Sequence, residues 1–301
     1  MTAAGLFTNS TPTVASHEIV VGVTTGHVGS KNKNVGWFAK TEPVIQPAAR
    51  DLLENYSGIP AEKIVEHVLA IRDQAWEVNA YPCIGQFRFL DLSMMRLDIY
   101  PRILEKLKAG GKLLDLGCCL AQDIRKLVVD GVPAENLYGA EYEAPFVDVG
   151  YDLFKDRETL GAHFFQADSL DDDPETQLNR LKASIDVIHL GMVLHVFSRE
   201  DQLITLSRCV EILKPEPGAL IVGQAVGHAE GKASPAHEGV ISFKHSDTTF
   251  KQLIREVEGA TGAKFRVKAD LDQGLGVGDG KRRWDLDDKT RRLTFVLERV
   301  A

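Results

Sequence analysis

Three carboxylates, each near the end of an apolar run, are the residues of this sequence best placed to do chemistry. Asp115 lies in Lys112-Leu113-Leu114-Asp115-Leu116-Gly117-Cys118-Cys119-Leu120-Ala121-Gln122-Asp123, Glu141 ends Gly139-Ala140-Glu141, and Asp168 ends Phe164-Phe165-Gln166-Ala167-Asp168. Gly117 permits a sharp turn from a strand into a helix, whose first amides then face a ligand. A carboxylate just before that turn suits a cationic amino-acid group better than a pyrophosphate, whose charge it would oppose. Glu141, followed by Tyr142, comes 24 residues after Gly117, where an acid accepts from two ribose hydroxyls. Asp168, with Ser169 beside it, is placed to accept from an adenine amino group. In this order the three acids point to an adenosine-containing sulfonium cofactor.

A second constellation follows in Asp186-Val187-Ile188-His189-Leu190-Gly191-Met192-Val193-Leu194-His195. Gly191 and Met192 fall where a methyl donor and its acceptor would meet, just after His189 and Leu190. His195, one helical turn further on, is the candidate catalytic residue, since a neutral imidazole can orient or deprotonate an acceptor. A packed, hydrogen-bonded histidine is the competing reading for both His189 and His195. Cys119 and Ala121 stand where a nucleotide loop usually has further glycines, so the loop alone does not fix the cofactor. A nicotinamide dehydrogenase shares this geometry, but Cys119 and Gln122 occupy its later glycine positions.

These residues need a sheet to hold them. Short strands are expected at Lys112–Leu116, Leu137–Glu141, His163–Gln166, Ile185–Leu190 and Ala219–Val222, separated by helix-length segments, which implies a mainly parallel, doubly wound Rossmann-like α/β sheet. Phe265–Ala269 and Leu293–Leu297 alternate as a C-terminal antiparallel hairpin. Gly223–Gly231 is expected as a loop after the fifth strand, and together with the connection around Trp284 it is a candidate to close over a substrate. Ser198-Arg199-Glu200-Asp201 resembles a capping box for the preceding helix, with Asp in place of Glu or Gln.

Before the sheet, Ile64, Val65, Val68, Leu69, Ile71, Ala75 and Trp76 follow helical spacing after Pro60, and a shorter helix over Pro101–Lys108 stops at Gly110-Gly111. The run from Tyr81 to Leu90 should lead into another helix. The organisation read is a flexible arm over 1–36, a helical substrate or lid region over 37–110 and a cofactor-binding domain over 111–301. The aromatics Trp37, Phe38, Trp76, Tyr81, Phe87, Phe89 and Tyr100 are candidates to line an apolar acceptor pocket, against the general preference of such residues for the core. Arg88 or Arg96 would pair an acceptor carboxylate.

A formal net charge of -8 argues against a nucleic-acid partner. No run of about 18 apolar residues is present and residues 1–36 lack a signal-peptide pattern, so a cytoplasmic protein without membrane insertion is expected. The cysteines at 83, 118, 119 and 209 form no CxxC framework, and the histidines at 228, 237 and 245 lack metal spacing, so no metal is expected.

The sequence resembles the class I S-adenosylmethionine-dependent methyltransferases. Across about residues 37 to 300 it is similar to fungal O-methyltransferases of meroterpenoid biosynthesis. The motifs that carry this are Ala75-Trp76, Tyr81-Pro82-Cys83-Ile84-Gly85, Arg88-Phe89-Leu90, Leu113 to Cys119, Gly150-Tyr151-Asp152-Leu153-Phe154 and Met192-Val193-Leu194-His195. The resemblance implies S-adenosylmethionine as cofactor, with Asp115 and Gly117 at its methionine portion, Glu141 at the ribose, Asp168 and Ser169 at the adenine, and His189 to Met192 along the methyl face. It further implies a homodimer and methyl esterification of a prenylated, for example farnesylated, polyketide acid. Phenol or alcohol O-methylation, and a methyltransferase fold recruited as an isomerase or cyclase, remain as alternatives.

Overall fold

The computed structural model describes residues 29–235, 240–272 and 287–301. In the N-terminal region, α1 (Pro47–Asp51) runs into a wider π-helical turn (Leu52–Tyr56). A 3-10 turn over Ala61–Lys63 then opens α2 (Ile64–Val78), which buries Ile64, Val68, Ile71, Ala75 and Trp76 on one face. The aromatic run that follows is a helical turn, α3 (Pro82–Gly85), and two 3-10 turns, Arg88–Leu90 and Met94–Arg96, before α4 (Tyr100–Lys108). The expected helix from Leu90 does not form; Phe87 adopts a left-handed φ of 58° that breaks the segment into turns.

The remainder alternates: β1 (Leu113–Leu116), α5 (Gln122–Val129), β2 (Leu137–Glu141), α6 (Pro145–Phe154), β3 (His163–Gln166), β4 (Val187–Gly191), α7 (Arg199–Ile212) and β5 (Leu220–His228). A small hairpin, β6 (Lys232–Pro235) with β7 (Ile241–Lys244), precedes α8 (Asp247–Thr261), β8 (Phe265–Asp272) and β9 (Thr290–Arg299). The seven-stranded sheet has the order β3-β2-β1-β4-β5-β9-β8. β1 to β5 are parallel; β9 runs antiparallel to β5 and to β8. This is the expected Rossmann-like fold with its antiparallel C-terminal hairpin.

Parallel strands are short here because both faces are covered, and β1 is buried at every position. Leu114, Leu116, Ile188, Leu190 and Ile221 pack under α7 and α8 with Leu206, Phe250 and Leu253. On the opposite face Leu113, Val187, Leu220 and Val222 meet Ile103, Leu107, Ile124 and Leu127 of α4 and α5. The N-terminal helices form their own cluster around Trp76, Leu53 and Val68, and α6 closes it with Phe146, Val149 and Leu153. Each such buried side chain contributes about 2 kcal/mol by removal from water.

Three differences from the sequence reading have physical causes. β5 continues through His228, so the first part of the expected Gly223–Gly231 loop is strand, held by nine consecutive partners on β9 from Leu220↔Glu298 to His228↔Thr290. Its glycines weakened the local signal, and the neighbouring strand overrides it. The hairpin β6–β7 is an addition that the sequence reading lacked. Residues 29–36 are not loose: Val35 is buried and the carbonyl of Lys31 accepts a 3.1 Å bond from Trp76 Nε1. The segment around Trp284 and His237 lie outside the described residues.

At α7 the Ser198 hydroxyl accepts from the Asp201 amide at 3.1 Å and donates to the Asp201 carboxylate at 2.8 Å. This is an N-cap without the return bond of a full box.

Candidate active site

The strand order reverses between β1 and β4, and in open α/β sheets a ligand binds at the C-terminal edge beside such a reversal. Asp115 and His189 are register partners on those two strands, so their side chains project to the same face. His189 Nδ1 lies 2.8 Å from Asp115 Oδ1, and both residues are buried. Ser93 Oγ is 3.2 Å from His189 Nε2 and 3.0 Å from Asp123 Oδ2. The Asp123 carboxylate also accepts the amides of Ser93 and Met94, at 3.3 and 3.0 Å. A buried chain thus runs Asp115, His189, Ser93, Asp123.

Counting hydrogens assigns the donors. Ser93 has one hydroxyl hydrogen; if it goes to Asp123, His189 must donate from Nε2 to Ser93 and from Nδ1 to Asp115, which requires the imidazolium. Burial opposes that charge, but Asp115 and Asp123 outweigh it and hold the His189 pKa above its usual value. Asp123 is itself pushed up by burial, against the pull of His189. His189 is buried and held against Asp115.

The turn keeps the shape of a glycine-rich loop without its glycines. Gly117, Cys119 and Ala121 have φ of 76°, 52° and 54°, so the left-handed conformation recurs at every second residue. Gly117 is required twice over, since a Cβ there would lie 2.3 Å from Val193 Cγ2. Gly191 also has no room: its Cβ would come within 2.7 Å of His189 Cε1.

Glu141 reaches from β2 to this turn, accepting from the Cys119 amide at 2.7 Å and the Glu143 amide at 3.2 Å. Burial raises its pKa, opposed by those amides. Tyr142 beside it is 60% exposed, a free ring face at the mouth. Asp168 is exposed and accepts from the Leu170 amide at 2.8 Å; Ser169 is turned inward to Thr205 Oγ1 at 3.0 Å. Leu190 is fully buried in the sheet core. Met192 has a φ of 65° and its amide donates to the Gln224 carbonyl at 2.7 Å, presenting this turn beside Gly117 through Val193. A ligand with hydroxyl, amino and cationic groups meets an edge rich in acceptors, so the donor set fits an adenosine-containing sulfonium.

The neighbouring region is basic. Arg88 Nε donates to Gln86 Oε1 at 3.0 Å, and no described residue bonds its terminal nitrogens. Burial lowers the Arg88 pKa; Asp91 and the Cys83 thiol oppose this, while Arg292 and Arg96 add to it. The Cys83 thiol is pushed up to about 11 by burial. His195 is pushed down to about 3, first by burial and then by Lys244 and Arg88, so its imidazole is neutral. Its buried Nδ1 has no hydrogen-bond partner among the described residues. Phe243, Phe250, His245 and Gln202 surround it.

Several expected acceptor residues belong to the core instead. Trp76 is 0% and Phe89 2% exposed, so neither offers a surface to an acceptor. Trp76 packs edge-on against Phe38 at 4.8 Å. Phe38 and Phe87 hold the Arg72 guanidinium between them, at 4.1 and 4.9 Å from their ring centres. Tyr100 instead bonds Asp130 at 2.6 Å. The sequence reading missed Ser93, Asp123 as a link and Lys244. Only Lys244 carried a signal, in the short alternation Ile241-Ser242-Phe243-Lys244. Among the described residues no helix is long and apolar enough to cross a membrane.

A family model described as the meroterpenoid methyltransferase N-terminal domain matches residues 37–90. The chain is 42% identical over 272 residues to the O-methyltransferase atr3 of Stereocaulon alpinum, covering 89% of this chain and 77% of that protein. It is 36% identical over 284 residues to the O-methyltransferase phiE of Fungal sp. (strain ATCC 74256), covering 89% and 94%. Similarity of 36% over 230 residues extends to the asnovolin E/chermesin D methyltransferase nvfJ of Aspergillus novofumigatus, covering 76% and 82%. A Burkholderia thailandensis 1,6-didemethyltoxoflavin-N1-methyltransferase structure, holding its substrate and S-adenosylhomocysteine, aligns with a TM-score of 0.47 at 13% identity, over 78% of this chain and 90% of that one.

Proposed function

The chain belongs to the fungal meroterpenoid methyltransferases, S-adenosylmethionine-dependent enzymes, and from that premise we propose that it methylates the carboxylate of an apolar, prenylated polyketide acid to a methyl ester. The observation that carries this reading is Arg88, a largely enclosed guanidinium beside Asp91 whose one hydrogen-bond partner among the described residues is the neutral amide of Gln86. Arg96, Arg292 and Lys244 lie in the same region, with Arg292 paired to Asp272 at 2.7 Å and Arg96 facing Asp91 at 4.0 Å. Such a region holds an anion, and a bidentate arginine suits a carboxylate.

The cofactor, when bound, supplies an electrophilic methyl group on a sulfonium. Glu141 is the residue we assign to the ribose, Asp168 and Tyr142 to the adenine, and Asp115 with Gly117 to the methionine end. A carboxylate acceptor is ionised at neutral pH and needs no base. That agrees with His195, whose depressed basicity makes it a poor proton acceptor. Its part is to stand neutral beside the acceptor while Arg88 sets the direction of the carboxylate and the enclosing side chains exclude water.

Incubation with S-adenosylmethionine and a panel of prenylated aromatic acids, analysed by mass spectrometry, tests the reading. Methyl esters are expected. Methyl ethers alone, with activity lost in His195→Ala and regained at high pH, would instead establish a phenol acceptor.

A further inference from the structure

The buried chain of Asp115, His189, Ser93 and Asp123 joins three parts of the molecule, two of which are also linked by Gln122 Nε2 donating to the Asp91 carbonyl at 3.4 Å. Asp115 and His189 are at the edge of the sheet, Asp123 is in the first turn of α5, and Ser93 belongs to the segment between the two 3-10 turns of the N-terminal region. Ser93 is 7% exposed, and its segment also carries Arg96 and lies three residues past Leu90. Every polar atom named in the chain has a partner when His189 is doubly protonated, and none is solvated. Gly191 leaves the imidazole just enough room, which fixes the plane of the ring.

We propose that Ser93 and His189 are positioning residues: through them the acceptor-side segment around residues 91–96 sets the Asp115 carboxylate, so that cofactor affinity depends on a side chain belonging to the acceptor region. This rests on the reading that the β1 turn holds the methionine end of the cofactor. Asp115 alone has two single-bond torsions free to swing its carboxylate; the bond from His189 removes that freedom, and Ser93 removes it from His189. The charges also balance. Two carboxylates and one imidazolium leave one negative charge, which a ligand ammonium at the strand end neutralises.

The test is titration of adenosylhomocysteine into the full chain by calorimetry, for wild type, Ser93→Ala, Ser93→Thr, Asp115→Asn and the Ser93→Ala/Asp115→Asn double variant. Ser93→Ala is expected to weaken binding about 10-fold, and the double variant to bind no worse than Asp115→Asn alone, because interacting residues are non-additive. Ser93→Thr, which keeps the hydroxyl, should bind within about 2-fold of wild type. Wild-type affinity in Ser93→Ala, or additive losses in the double variant, would overturn the proposal. Should Ser93→Ala not fold, equal affinity of Ser93→Thr and Ser93→Cys would overturn it, and a loss confined to Ser93→Cys would support it. No adenosylhomocysteine binding by the wild type would overturn the underlying assignment of the turn instead.

Discussion

The sheet edge and the N-terminal region dispose of their charges in opposite ways. At the edge, Asp115 and Glu141 are held by a histidine and by backbone amides, leaving an acidic surface whose groups are already oriented. In the N-terminal region, Arg72 is enclosed by two rings and bonded to the Ala39 carbonyl at 2.8 Å, while Arg88, beside Asp91, makes one side-chain hydrogen bond among the described residues, to Gln86. On the proposed reading the first arrangement receives a cation bearing hydroxyls and the second an anion, and their opposite charges would bring methyl donor and carboxylate together before any bond changes.

The largest effect should come from a buried ion pair that ties the two regions together. Arg125 on α5 is 0% exposed and bonds both Asp156 oxygens at 2.9 and 3.0 Å, and Tyr56 of the N-terminal region donates to the same carboxylate at 2.8 Å. Arg125→Met leaves Asp156 buried without its counter-charge and should cost about 4 kcal/mol in a urea unfolding curve. An unchanged midpoint would mean the two regions are held together by apolar packing alone.

Glu141→Ala comes next. Losing a buried charged acceptor from the acidic edge should weaken adenosylhomocysteine binding by about 100-fold, or about 3 kcal/mol, with the acceptor KM little changed. Arg88→Ala is the mirror experiment: acceptor KM rises about 30-fold and adenosylhomocysteine binding stays as in wild type. If each variant moved both constants, the division into an acidic and a basic side would be wrong.

The smallest of these effects concerns acid. His195 and His245 are both held below the usual histidine pKa, at about 3 and about 4, chiefly by burial. Their unfolded forms take up protons below about pH 6.5 while the folded forms do not, so stability is full above that pH and falls as pH drops towards the folded values. Between pH 6.5 and 5 the loss attributable to His195 is about 1–2 kcal/mol. His195→Leu should flatten the urea midpoint over this window, whereas an equal slope in both proteins would mean that His195 is solvated and free to titrate.

Strand positions and the mainly parallel arrangement were legible because Leu113–Leu116 and Leu137–Glu141 are short apolar runs with a single place to begin and end, and strand and helix lengths alternate; the order of the strands was not read. What the sequence hid were relations between distant residues. The contact of Asp115 with His189 depends on the register of two strands 74 positions apart, and Ser93 has no local pattern at all. Two of the aromatics read as pocket lining, Phe38 and Phe87, instead cover the Arg72 guanidinium, a pairing that no local spacing shows.

The turn from Gly117 to Ala121 has one further consequence. At Cys119 and Ala121 the left-handed backbone opposes the preference of the residue by about 1 kcal/mol each, and the surrounding packing holds both in place. Such a turn is a loaded spring. Warming that loosens its neighbours releases it early, so catalytic activity is expected to fade several degrees before the sheet melts, and bound cofactor to close that gap.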